Sequence, residues 1–105
     1  KKLVTQSFKK GKILKRKLNK IKQKNPDLIL SVQSKGLIGA IIFKNHNNKI
    51  GSYIASKICE KAMQKGLLLV HTSRESIKIG PPLTISEKAL IEGIDIIEEC
   101  INEVI

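Results

Sequence analysis

Tryptophan is absent from this 105-residue chain, and its three large aromatic rings, Phe8, Phe43 and Tyr53, are scattered along it. Single-strand nucleic-acid readers stack bases on grouped rings, and no such group can be assembled here. Cysteine is nearly as scarce. Cys59 and Cys100 stand 41 positions apart, a spacing that gives neither a metal-ligand pair nor a disulfide framework. Each falls on an apolar helix face, which reads as two buried free thiols and points to a reducing compartment, the cytoplasm. His46 and His71 are the only histidines. They offer no metal site, and His71 reads as strand-end packing or hydrogen bonding.

Long hydrophobic runs are also missing. The longest, Gly36 to Phe43 with its glycines counted, is far short of the ~20 residues that span a bilayer. The basic N-terminal segment has no apolar core of a secretory signal, and with ten lysines to one arginine it lacks the composition of a mitochondrial transit peptide. Neither glycine-rich phosphate-binding pattern, G-x-x-x-x-G-K or G-x-G-x-x-G, occurs. The first residue is lysine, which reads as a piece of a longer protein. The length suits one domain with a real but modest core.

The most uneven property is charge. The formal net charge is +11, yet residues 1–24 hold eleven Lys and Arg with no acid, and the remainder holds nine of each sign. In Lys1 to Lys24, Val4, Phe8, Leu14, Leu18 and Ile21 recur at helical spacing among the lysines. The segment, taken as residues 1–26, therefore reads as a basic amphipathic helix leading into a domain over 27–105. Its cationic side is a solvated face, a contact for an acidic neighbour, or a phosphate-binding surface.

Patterning predicts a helix over about Thr5 to Gln23, a break at Asn25-Pro26, and strands over about Leu30 to Lys35 and Leu37 to Phe43. A second helix follows from about Lys49 to Lys65, capped by Asn47 or Asn48, with Ile54, Ile58 and Ala62 on one stripe. Gly66 ends that helix. The apolar run Leu67 to Val70 opens a strand expected to reach Thr72. Ser76 to Ile79 alternates, placing Ile77 and Ile79 on one face and Lys78 on the other. Pro81 and Pro82 stop the pairing because they lack amide donors. Ser86 caps a last helix whose Leu90, Ile94, Ile97, Ile101 and Val104 face inward, with Ile85 stapling against Leu90. The fold class is α+β: a small, mainly antiparallel sheet of three or four strands with about three helices. The run Leu37 to Phe43 is apolar on both faces, so something must cover its second face, either the first helix or a domain outside this sequence. If the latter, the isolated piece should expose an apolar patch and self-associate.

The string Ile77-Lys78-Ile79-Gly80-Pro81-Pro82-Leu83-Thr84-Ile85, followed by a capped amphipathic helix, resembles the C-terminal end of class III aminotransferases. Val32-Gln33-Ser34-Lys35-Gly36-Leu37-Ile38 resembles that family's V-R-G-x-G-L-M strand, and the resemblance covers essentially all 105 residues in order. It implies the C-terminal small domain of a fold-type I, pyridoxal-phosphate-dependent transferase. The parent would move an amino group between an amino acid or amine and a 2-oxo acid, with pyridoxal phosphate as electron sink. The family's Schiff-base lysine and most phosphate contacts belong to a large domain preceding this region. The fragment alone is then expected to be inert, to bind no cofactor or metal, and to form one wall of the substrate cleft of a parent that is a homodimer.

Lys78 stands where the family commonly has an arginine gripping a substrate carboxylate, which makes it the one substrate-binding candidate. Lysine supplies the charge without the two-pronged geometry. The family's Arg, Gly, Gly and Glu in the earlier strand segment correspond here to Gln33, Ser34, Ala40 and Ile42. Arg74, in the turn before the strand, reads as a solvated arginine, with a substitute carboxylate contact as the sharper alternative. Two other classes stand beside the aminotransferase reading: a small basic nucleic-acid-binding protein, and a ligand-sensing or assembly domain.

Overall fold

The computed structural model describes residues 2–45, 49–67, 69–71, 75–81 and 85–104, with side chains from Phe8 onward except those of 70 and 71. In chain order the elements are α1 (Lys2–Lys24), β1 (Ile29–Lys35), β2 (Ile38–Phe43), α2 (Gly51–Gln64), β3 (Val70–His71), β4 (Ser76–Ile79) and α3 (Glu87–Val104). The strands form one sheet in the order β1-β2-β4-β3, with every neighbouring pair antiparallel. The expected α+β architecture is therefore present.

The β1–β2 hairpin turns on Gly36-Leu37, between the paired residues Lys35 and Ile38. Gly36 has φ 58°, a left-handed conformation that glycine adopts without a Cβ penalty. Near the other end Leu30 is an unpaired extra residue, since Ile29 pairs with Phe43 and Ser31 with Ile42. Beyond the strand, the Phe43 amide donates to the Glu75 carbonyl at 2.7 Å and so extends the β2–β4 ladder.

All three helices lie on the face that carries Ile41, Phe43, Ile77 and Ile79. Those residues join Leu14, Leu18 and Ile21 of α1, Ile54 and Ile58 of α2, and Ile94, Ile97 and Ile101 of α3 in one buried core. The first helix thus covers the inner face, and the second apolar face of β2 has no cover among the described residues. On that outer face Ile38 is 65% exposed and Ala40 and Ile42 are half-buried.

α3 packs against both α1 and α2, and its acids set the alignment. Lys9 pairs with Glu87 at 3.3 Å and Lys17 with Asp95 at 2.6 Å. Both steps are eight residues, so α1 and α3 run parallel; Lys24–Glu98 adds a third contact at 3.1 Å. On the other flank Lys61 meets Glu103 at 3.6 Å, while Lys65 bridges Glu99 at 2.7 Å and Glu103 at 2.9 Å, which makes α2 antiparallel to α3. The last turn of α3 has no basic residue of its own. The lysines of α2 supply the positive charge that a helix C-terminus and two nearby carboxylates require.

Several sequence expectations need correction. Phe8 is 66% exposed: six residues at ~100° each place it roughly 120° away from Leu14 around the helix. Its ring instead lies under the Lys12 ammonium, 4.6 Å from the centroid. The inward position one turn before Leu14 is Gly11, where a Cβ would sit 2.7 Å from the Gly36 carbonyl oxygen. α1 can cross the hairpin only because that side chain is missing.

α2 begins after Ile50, which makes no side-chain cap; Asn47 and Asn48, the expected cap residues, are outside the described set. Asn45 takes the role from six residues upstream, its Oδ1 accepting the Gly51 amide at 3.0 Å. The third strand is described over Val70–His71; Leu68 and Thr72, within its expected span, are outside the described residues. Gly66 is left-handed at φ 87°, and the Leu67 and Gly66 amides donate to the carbonyls of Ala62 and Met63. This Schellman closure uses the Leu67 amide to finish α2, so the strand cannot start there. The cap of α3 is as expected: the Ala89 amide donates to Ser86 Oγ at 3.0 Å.

Two helical glycines should respond oppositely to alanine. Gly11→Ala is expected to destabilise by about 1–3 kcal/mol, because the new methyl meets a backbone carbonyl. At Gly93 the nearest atom to an added Cβ is Leu67 Cδ1 at 3.6 Å, an ordinary contact. Gly93→Ala should therefore stabilise by about 0.5–1 kcal/mol through helix propensity, and urea unfolding reads both. The Lys65 hydrogen bond holds the Glu103 carboxyl below its ordinary 4.5. That contribution is present above the ordinary value and is lost as pH falls through the lowered one. Glu103→Gln should accordingly lower the urea midpoint at neutral pH, and the difference should shrink as pH falls through the lowered titration of Glu103.

Candidate functional site

The side chains of a strand alternate between faces, so the outer face of the sheet can be read from its register. Gln33 is opposite Ala40, Ala40 is opposite Lys78, and Lys78 is opposite Val70. These four form one row across the whole sheet. Lys35 and Ile38 form the adjacent β1–β2 pair toward the hairpin turn. Gln33, Lys35, Ile38, Ala40 and Lys78 line a shallow depression of about 360 Å³ on this face.

Lys78 is exposed, as alternation required, and Ile77 and Ile79 are buried on the opposite side. Among the described residues, the Lys78 ammonium has no carboxylate or carbonyl partner, and the Gln33 amide likewise has none. An uncommitted cation and an uncommitted amide thus face one hollow. Ala40 lies between them, and its small side chain leaves the space above the row open. Sequence patterning had singled out only Lys78. The Gln33–Ala40 pairing is implied by counting back from a two-residue turn at Gly36-Leu37, but the β2–β4 pairing joins strands far apart in sequence and has no local signal.

Most of the other sequence candidates lie outside the described residues or away from this depression as far as they are described. Arg74 and His46 are outside the described residues, as are Pro82, Leu83 and Thr84 of the Pro-Pro motif. His71 is on β3 opposite Ile77, with its side chain outside the described set. Gly39 faces the helix side, where an added Cβ would lie 2.9 Å from Leu18 Cδ1 and make that side chain shift. Cys59 and Cys100 are free thiols on α2 and α3. Burial pushes both up from the ordinary value, and each resists ionising near other negative groups. That makes them poor nucleophiles. Among the described residues no His, Cys, Asp or Glu cluster could hold a metal ion.

A second hollow, about 210 Å³, lies on the helix side of β4 and is bordered by Leu67, Leu69, Ile79, Ile85, Leu90 and Ile94. Its described lining is apolar, so it has no group to orient a polar substrate. On α1, Lys12, Lys15, Arg16 and Lys20 form a basic strip, while Lys9, Lys17 and Lys24 are paired with α3. Contact with an acidic neighbour therefore accounts for part of the cationic helix. No helix among the described residues is long and apolar enough to cross a membrane.

The same depression fails as a cofactor cradle for pyridoxal phosphate. Its described lining offers two ammonium groups and an amide, with no carboxylate for a pyridine nitrogen and no aromatic ring to stack on the cofactor. We therefore assign no cofactor contact to the described lining of this depression.

Comparison with known proteins adds the family. The model for aminotransferase class-III matches residues 1–101. The mitochondrial acetylornithine aminotransferase of Candida glabrata is 34% identical over 96 residues, 91% of this chain and 21% of that protein. The mitochondrial ornithine aminotransferase of Drosophila ananassae is 36% identical over 100 residues, 95% of this chain and again 21% of the relative. Among solved structures, acetylornithine aminotransferase from Elizabethkingia anophelis superposes with a TM-score of 0.84 at 33% identity, covering 97% of this chain and 24% of that one. A lysine aminotransferase from M. tuberculosis shares the fold, with a TM-score of 0.87 at 17% identity, over 98% of this chain and 22% of its own. The chain thus spans about a fifth of the length of the curated relatives it matches. From one end of the sheet to the other its sequence and fold follow a single pattern, and the chain belongs to the class III aminotransferase family.

Proposed function

We propose that this chain is the small domain of a pyridoxal-phosphate-dependent aminotransferase and that its open sheet face forms a wall of the substrate cleft, with Lys78 meeting a substrate carboxylate. The observation that carries the proposal is the free ammonium of Lys78 in the central row of a sheet face that no helix among the described residues covers. A cation on a half-apolar surface becomes stronger when a second wall excludes water. That wall would be the larger domain, which holds the cofactor in this reading; the relatives are long enough to contain one. The parent would transfer an amino group between an amino acid or amine and a 2-oxo acid.

Ile38, exposed beside the depression, gives the open face an apolar margin suited to docking against protein. A homodimeric parent is part of the proposal and rests on family membership. So is a cytoplasmic location, which rests on two free, un-ionised thiols in a small domain. Alone, the chain would form no covalent link to the cofactor and would be inert.

In the full-length protein, Lys78→Ala is expected to raise KM for the best 2-oxo acid in a panel that includes 2-oxoglutarate and pyruvate. Loss of one charge-assisted hydrogen bond corresponds to about a 10- to 100-fold rise, with a smaller change in kcat. Unchanged kinetics would reduce Lys78 to a surface lysine and remove the support for this wall.

A further inference from the structure

A single lysine leaves the carboxylate half held. An ammonium is a point donor, whereas a carboxylate has two oxygens to satisfy. The row Gln33–Ala40–Lys78 supplies a second donor from the same sheet face. Two strand spacings separate Gln33 from Lys78, about 10 Å between their backbones. Both side chains are long enough to lean inward over Ala40. Two hydrogen bonds of ~2.9 Å with a carboxylate between them fill that gap.

We propose that Gln33 is a specificity-determining residue: its side-chain amide and the Lys78 ammonium hold the two oxygens of one substrate carboxylate above Ala40. The proposal rests on the reading of this face as a substrate wall and adds the second anchor. Three features of the molecule support it. Gln33 is exposed on the outer face and its side chain makes no hydrogen bond among the described residues, so its side-chain amide is available. It lines the same depression as Lys78. Ala40, directly between them in register, is the one position in the row where a larger side chain would occupy the site of the carboxylate.

The clamp also explains how lysine can serve where a fork of two N–H groups would be expected. The second prong comes from another strand. Because the two prongs have separate anchors, their spacing is fixed by the sheet register rather than by one rigid group. The pair therefore requires the β1–β2 and β2–β4 registers to hold together. Lys35 adds positive potential at the rim, one β1–β2 pair nearer the turn.

The test uses the full-length holoenzyme and the same 2-oxo acid panel. Gln33→Ala changes no charge, so a rise in KM cannot come from an altered field. It is expected to raise KM about tenfold with kcat changed less than twofold. Gln33→Glu should raise it further, since a carboxylate would then face a carboxylate. Ala40→Leu should raise KM by closing the space between the anchors. In a Lys78→Arg background, where one residue supplies both prongs, Gln33→Ala should cost less than in the lysine protein. Urea midpoints of the variants check that each one folds. If Lys78→Ala raises KM and neither Gln33→Ala nor Ala40→Leu does, the clamp is wrong and the single-lysine wall survives. If none of the three moves KM, both readings fall.

Discussion

α3 lies between two basic helices and above one face of the sheet, and the remaining architecture depends on that position. Its inner stripe of Leu90, Ile94, Ile97 and Ile101 is buried in the common core. Its flanking acids meet α1 on one side and α2 on the other. The exposed pairs are individually weak, no more than about 1 kcal/mol each. Their distribution matters more than their strength, because burial has no preferred direction along a helix, whereas charge pairs at matched spacings do. The apolar stripe holds α3 down and the pairs fix where along its neighbours it lies.

Concentrating the three described helices on one face leaves the other uncovered among the described residues, and this asymmetry links fold to function. A sheet in a self-contained small domain usually shows a polar outer face. Here the outer face carries Ile38, Ala40 and Ile42 beside Lys78 and Gln33. It is too apolar for a surface meant for water and too polar for a core, a composition suited to a wall shared with another body of protein and a small charged molecule. The core side, by contrast, contains almost nothing with which to do chemistry.

Much of this was legible in the sequence. The strand Ser76–Ile79, the Ser86 cap and the amphipathic last helix followed from alternation, a hydroxyl at the right place and three-and-four spacing. Each depends on residues close together in the chain. The misreadings share a different cause. Phe8 was placed in the stripe of α1 because an apolar side chain suggests burial, while the true inward position was Gly11, whose role is to have no side chain. Leu67 looked like a strand residue until its amide was found closing α2. The Gly51 amide at the start of α2 finds Asn45 six residues upstream, a reach that local cap spacing does not suggest. Of the candidate site, alternation gave the face on which Lys78 stands, and its role as a substrate contact came from the family resemblance. Gln33 and Ala40 became its neighbours only through a strand pairing that brings together residues 38 positions apart, a relation that no local pattern encodes.

The eight-residue step shared by Lys9–Lys17 and Glu87–Asp95 makes α1 and α3 a matched pair of rulers. Eight residues advance each helix by about 12 Å, so the two rulers read alike only while neither gains nor loses a residue. One insertion between Lys9 and Lys17 would rotate everything on one side of it by ~100° relative to the other. It would turn Gly11 away from the hairpin or Leu18 away from Gly39. Over evolutionary time, length change in this domain is thereby driven out of the helices and into the connections between elements. Related chains should vary in loop length long before they vary in the count of residues along α1.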